Sequence, residues 1–190
     1  GEPFVYLWGP GGSGKSHLLQ AVCHRAHRGG AVLSYLPLGE LLAHGAGLLE
    51  DLDRLDLVCI DDIGAAAGLA DWERALFGLY NGLRDRGGRL LVSGDRPPAA
   101  LDLSLPDLRS RLGWGLVLRI APLGDADKER LLMLSAGRRG MALSAEAARY
   151  LVSRHRRDLP ALLGTLERLD ELSLAARRRL TIPFIRRHLE

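Results

Sequence analysis

Phe4-Val5-Tyr6-Leu7-Trp8 followed by Gly9-Pro10-Gly11-Gly12-Ser13-Gly14-Lys15-Ser16 and then His17-Leu18-Leu19 is the stretch that decides the fold. An apolar run of strand character enters a glycine-rich turn and leaves as the start of a helix, which is the order of a Walker A phosphate loop. Glycines at 11, 12 and 14 let successive backbone N–H groups converge on an anion, and the helix behind them offers its positive N-terminal end. In this pattern Lys15 reaches the β- and γ-phosphates and the Ser16 hydroxyl serves magnesium. The expected cofactor-binding residues are therefore Pro10, Gly11, Gly12, Ser13, Gly14, Lys15, Ser16 and His17, with ADP or ATP as the ligand.

Basic-residue usage sharpens this reading. Of 26 basic residues only Lys15 and Lys128 are lysine. A chain that writes arginine elsewhere has kept a slim ammonium where a side chain must thread between phosphates.

Outward from the loop, apolar runs at 3–8, 31–36, 56–61, 89–94 and 115–120 read as strands. Helical patterns at 15–28, 38–44, 71–86 and 106–112 alternate with them, the signature of a parallel sheet covered on both faces. Gly29-Gly30 and Gly87-Gly88 read as helix ends. Beyond Pro122 the strand pattern stops, and 125–139, 144–156, 158–178 and 181–189 read as four amphipathic helices with Ser144 and Thr181 as N-caps. The expected fold class is α/β: a P-loop core with a five-stranded parallel sheet over residues 1–122, then a small all-α lid over 123–190.

The third strand ends Leu57-Val58-Cys59-Ile60-Asp61-Asp62, an apolar run closed by two carboxylates one strand after a Walker A loop. This reads as Walker B, with Asp61 holding magnesium opposite Ser16 and Asp62 orienting the attacking water. The fourth strand runs into Gly94-Asp95-Arg96-Pro97-Pro98, where Asp95 is either a γ-phosphate sensor or part of a polar turn stopped by prolines. Arg111 precedes Gly113-Trp114-Gly115 and either presents its guanidinium outward or caps its own helix end.

The chain carries a net charge of +3, with −2 on residues 1–122 and +5 on 123–190. The clusters Arg154-His155-Arg156-Arg157 and Arg177-Arg178-Arg179 lack interleaved aromatics, which favours a solvated helix face over a nucleic-acid patch. No apolar stretch approaches the ~20 residues of a membrane span. Cys23 and Cys59 sit in apolar company and read as core residues of a reduced, cytoplasmic protein. The six histidines show no metal-ligand spacing.

Together the Walker motifs, Asn81 in Leu79-Tyr80-Asn81, Gly94-Asp95-Arg96-Pro97-Pro98 and Ser110-Arg111-Leu112-Gly113-Trp114-Gly115 resemble the AAA+ module of the bacterial DnaA family. Tyr35-Leu36-Pro37-Leu38, Leu105-Pro106-Asp107-Leu108 and Leu180-Thr181-Ile182-Pro183-Phe184 are similar to the Hda-type regulators within it. The resemblance implies a nucleotide-bound regulator that associates with the DNA polymerase III sliding clamp (β subunit) on DNA and makes ATP-bound DnaA hydrolyse its ATP. It also implies weak intrinsic ATPase activity, no sequence-specific DNA contact of its own, and head-to-tail packing in a homodimer or filament. Arg111 matches the arginine finger acting in trans and Asp95 the sensor I position. The clamp-binding segment of such proteins lies at the extreme N-terminus, before the first residue here. Two departures stand out: Pro160 occupies the place of a sensor II arginine, with Arg156 or Arg157 as substitutes, and Asp62 is one methylene shorter than the usual glutamate. The alternatives are a DnaA-type initiator core, a helicase-loader ATPase, and a self-contained ATP hydrolase.

Overall fold

The computed structural model describes residues 2–154, 159–176 and 180–189. By contact the chain divides into two compact units, Gly1–Ala121 and Pro122–Glu190.

In the first unit, β1 (Phe4–Trp8), β2 (Leu33–Pro37), β3 (Leu57–Asp61), β4 (Arg89–Gly94) and β5 (Leu116–Arg119) form one parallel sheet in the order β2-β3-β4-β1-β5. Each expected strand is present. Parallel neighbours require crossover connections over the sheet, and the order inserts β4 between the strand before the phosphate loop and the strand ending in carboxylates.

Strand alternation sorts the side chains by face. Leu57 and Cys59 of β3, Leu91 of β4 and Leu7 of β1 pack with Leu19 and Cys23 of α1 (Lys15–Arg28). The alternate residues Val58, Ile60, Leu90, Val92 and Tyr6 pack with Trp72, Leu76, Leu79 and Leu83 of the long helix that follows β3. β3 is covered on both faces and buried along its whole length, which explains its unbroken apolar spelling. β5 lies at an edge, where Leu116, Leu118 and Arg119 remain exposed.

The expected helix at 38–44 is shorter: α2 covers only Leu38–Leu41 and tightens into a 3-10 turn over Leu42–His44. Further 3-10 turns at Ala46–Leu49 and Leu52–Arg54 fill a stretch without usable periodicity. The long helix, α3, spans Ala70–Arg86 and ends in a Schellman turn, with Gly87 at φ +75° and the Gly88 N–H donating to Leu83 O at 2.8 Å. At the end of α1 it is Gly30, not Gly29, that takes the left-handed conformation, at φ +85°. A seven-residue helix, α4 (Pro106–Leu112), completes the unit.

The second unit contains α5 (Asp125–Arg138), α6 (Ala145–Arg154), α7 (Leu159–Ala176) and α8 (Ile182–Leu189) around a core of Leu132, Leu151, Leu162, Leu166, Leu169, Phe184 and Ile185. Ser144 caps α6, its Oγ accepting from the Ala147 N–H at 3.2 Å. Pro160 sits in the first turn of α7, where a missing N–H costs nothing. Leu143 and Leu180 form a single parallel bridge, a strand-like contact that the sequence pattern does not announce. Arg156, Arg157 and Arg177-Arg178-Arg179 lie outside the described residues. Among the described residues no helix is long and apolar enough to cross a membrane.

Candidate functional site

The carboxyl ends of β1, β3 and β4 bring the sequence-selected residues to one rim of the sheet, where ligands of open α/β sheets gather. The Gly9 N–H donates to Gly94 O at 3.3 Å, closing the phosphate loop onto β4. A Cβ on Gly9 would stand 2.2 Å from Ile120 O, so the loop entrance admits only glycine. Gly12 and Gly14 take φ of +73° and +92°, and Gly14 is the N-cap of α1. Gly11 needs no such conformation; its side-chain direction opens into empty space. Pro10 and His17 are exposed at the two ends of the loop.

Three features of the loop await a partner. Lys15 Nζ is folded back onto the Gly9 and Pro10 carbonyls at 2.7 and 3.0 Å. Ser13 Oγ is buried with no hydrogen-bond partner. The first turn of α1 has neither a side-chain cap nor an acidic residue. An anion at this helix end would meet ammonium, hydroxyl and backbone donors at once, so the residues present fit a phosphate group.

Alternation places Asp61 on the α1 face of the sheet, with Cys59, and Asp62 follows just past the end of β3. Asp61 is buried, and burial alone would raise its pKa. Hydrogen bonds from Ser93, Tyr35 and Ser16, with the Lys15 charge, outweigh that and hold the carboxyl below its usual range. Tyr35 Oη donates to Asp61 Oδ2 at 2.6 Å, and Ser93 Oγ donates to Oδ1. The Ser16 hydroxyl and the ionised Asp61 carboxylate are hard oxygen donors of the kind magnesium takes. Among the described residues no group of three or more His, Cys, Asp and Glu could hold a metal unaided, so such an ion would share its shell with phosphate and water.

Asp62 has φ +58° and ψ +64°, one of two non-glycine residues in the left-handed region among the described residues. Its N–H donates to Ser93 Oγ at 2.9 Å. Burial, then the charges of Asp95 and Asp61, push its pKa upward. Asp62 and Asp95 face each other across a cleft of about 330 Å³ that Gly64, Arg96, Leu101 and Asp102 also line. Asp95 is half exposed and lies 3.5 Å from the Arg96 guanidinium. The Tyr6 hydroxyl supports this corner from beneath by donating to Arg96 O at 2.9 Å.

Arg111 stands apart from this cluster, in the last turn of α4. Its guanidinium lies 4.0 Å over the Trp114 ring, and Trp114 is 65% exposed. Arg111 itself is half-buried against that exposed ring. Asn81, on α3, keeps a buried Oδ1 without a partner. Sequence reasoning did not single out Tyr35, Ser93 or Tyr6 as site residues. The available signal was strand parity, which puts Tyr35, Asp61 and Ser93 on one face once the register Tyr35↔Cys59↔Leu91 is known.

The profile of the bacterial DnaA ATPase domain matches residues 2–119, and that of the Hda lid domain matches 125–189. Among solved structures, domain III of the Thermotoga maritima replication initiation protein DnaA superposes with a TM-score of 0.79 at 20% identity, covering 97% of this chain and 82% of that one. AMPPCP-bound DnaA from Aquifex aeolicus superposes at 0.69 with 22% identity, covering 91% of this chain and 58% of that one. The Thermotoga maritima RuvB Holliday junction branch migration motor does so at 0.66 with 19% identity, over 97% and 60%. The structural likenesses establish the AAA+ fold, and the chain spans about 58% of the length of the Aquifex DnaA chain. With a DnaA-type core across most of its length and an Hda-type lid behind it, this chain belongs to the DnaA family of AAA+ proteins.

Proposed function

We propose that this chain is a nucleotide-binding regulator of replication initiation. It binds ADP or ATP with magnesium at the phosphate loop and, together with the DNA-loaded sliding clamp, stimulates hydrolysis of DnaA-bound ATP so that an origin does not fire again. The observation that carries the reading is an intact phosphate loop and carboxylate pair in a chain that also presents Arg111 on an exposed tryptophan and has an Hda-type lid. The AMPPCP held by the Aquifex DnaA supports the nucleotide assignment.

In this reading Lys15 leaves the Gly9 and Pro10 carbonyls for phosphate oxygens, and the Ser13 hydroxyl and the loop N–H groups find their acceptors there. Magnesium, when bound, would supply charge neutralisation at the phosphates. Ser16 and the ionised Asp61 would hold that ion, Asp61 through water. Asp62 orients the attacking water and Asp95 senses the γ-phosphate. Burial and the neighbouring Asp95 and Asp61 charges raise the Asp62 pKa, and its backbone is left-handed. Arg111 acts in trans, entering the neighbouring DnaA site to neutralise transition-state charge, an effect of about 10³-fold or more. The same head-to-tail geometry allows self-association.

The test is single-turnover hydrolysis of ATP pre-bound to DnaA, with clamp loaded on DNA, on adding the full-length form of this protein as wild type or Arg111→Ala. Stimulation that vanishes in the variant supports the regulator. No stimulation by a wild-type protein that binds nucleotide through Lys15 turns the reading to its alternatives, an initiator core, favoured by the DnaA match over residues 2–119, or a helicase loader.

A further inference from the structure

Two hydroxyls that no phosphate-loop pattern specifies grip the Asp61 carboxylate from opposite sides. Tyr35 reaches it from the edge strand β2 at 2.6 Å, and Ser93 reaches the other oxygen from β4. The Ser93 hydroxyl owns one proton, and its direction is forced. The Asp62 N–H points at Oγ from 2.9 Å, so the oxygen must accept there and its proton must go to Asp61. Ser93 is fully buried, so no water competes for either bond. Each Asp61 oxygen therefore commits one lone pair to a neighbouring strand and keeps the rest of its acceptor capacity, and the side chain cannot rotate without breaking both bonds.

We propose that Tyr35 and Ser93 are positioning residues that fix the Asp61 carboxylate to receive, through water, the divalent cation accompanying a bound nucleoside di- or triphosphate, so that they set the metal dependence of nucleotide affinity and leave metal-free affinity alone. The inference rests on the nucleotide-binding reading above. A carboxylate locked in one rotamer before the ion arrives gives up no further freedom on capture, whereas a free one must be ordered at the moment of binding. Partners of this kind are typically worth about ten-fold or more in metal affinity. Ser93 has a second consequence: because it bridges the Asp61 carboxylate and the Asp62 backbone N–H, and immediately precedes Gly94-Asp95, one hydroxyl ties the carboxyl end of β3 to the strand leading to Asp95.

The experiment titrates the full chain with a fluorescent ADP analogue, once in magnesium and once in excess EDTA, and compares the ratio of the two dissociation constants. In Tyr35→Phe and Ser93→Ala the EDTA value should stay within about two-fold of wild type while the tightening by magnesium falls about ten-fold. Ser93→Thr retains the hydroxyl and should restore it. An unchanged magnesium effect in both variants overturns the proposal, as does an equal loss with and without metal, which would mark a purely structural role; the EDTA arm also shows that each variant is folded. Wild-type binding that magnesium does not tighten overturns the proposal and leaves nucleotide binding standing. No ADP binding by wild type in either arm refutes the phosphate-loop reading itself.

Discussion

Glu73 is 1% exposed, and its carboxylate accepts three backbone N–H groups: Gly68 and Ser104 on Oε1 at 2.8 and 3.0 Å, and Leu105 on Oε2 at 2.6 Å. Leu105 is the N-cap of α4 and offers no side-chain acceptor of its own, so Glu73 serves as a remote cap for the helix that carries Arg111. Glu73→Gln keeps an acceptor on one side but sets an amide N–H₂ against the donor it replaced. One charge-assisted bond is lost with its N–H left unsatisfied, and the others weaken to neutral strength, for a cost of about 2–3 kcal/mol. Glu73→Ala removes all three acceptors and leaves a void, and after allowance for loop relaxation should cost about 3–5 kcal/mol. Urea unfolding followed by tryptophan fluorescence is the assay. All three tryptophans, Trp8, Trp72 and Trp114, lie in the first unit, so the signal reports that unit alone. With a urea slope of about 1–3 kcal/mol per molar, the Gln variant should lower the midpoint by about 1–2 M without changing the slope. A change below about 0.5 kcal/mol would refute the reasoning, because it would mean that water reaches these N–H groups and the carboxylate caps nothing.

Gly94→Ala would put a Cβ 2.1 Å from Tyr6 Oη, and Tyr6 is buried and cannot swing away; a loss of about 1–3 kcal/mol is expected, part of it recovered by adding Tyr6→Phe, with urea midpoints of the two variants as the check. The raised pKa of Asp62 means that the folded state binds its proton more tightly than the unfolded chain does. Its ionisation therefore destabilises the fold as pH rises from the unfolded carboxylate range through the raised folded value, and Asp62→Asn should remove that loss and be the more stable protein at pH 7 in a thermal melt. Asn also tolerates the left-handed backbone, so the substitution adds no strain. The lowered pKa of Asp61 has the opposite sign: its contribution is present above the unfolded carboxylate pKa and is lost as pH falls through the folded one, so Asp61→Asn should cost stability at neutral pH and flatten the acid limb of a thermal-melt series.

Much of the core was legible in the order of residues. The phosphate loop needs glycine, lysine and serine at fixed spacing, and β3 needs an unbroken apolar run because both of its faces are covered, so each is written into consecutive letters. Helix periodicity gave α1, α3 and α4 within a residue. The stretch from Leu42 to Arg54 was opaque because 3-10 turns bury scattered residues such as Leu49 without a repeating face. Glu73 was opaque for a different reason, since in a helical pattern a glutamate reads as a solvated face and its three partners lie 5 to 32 positions away.

The sequence by itself determined which groups gather at the glycine-rich loop, because that pattern is local: a loop of eight residues carries its own donors and its own helix end. Only the tertiary structure decided how the carboxylates are aimed. The hydroxyls of Tyr35 and Ser93 come from strands 26 and 32 residues from Asp61, and they meet it because β2, β3 and β4 lie side by side in a parallel register that turns all three residues to one face. Strand parity is visible in the letters, but the order of strands is set by crossover and packing, and that order chose the neighbours of Asp61.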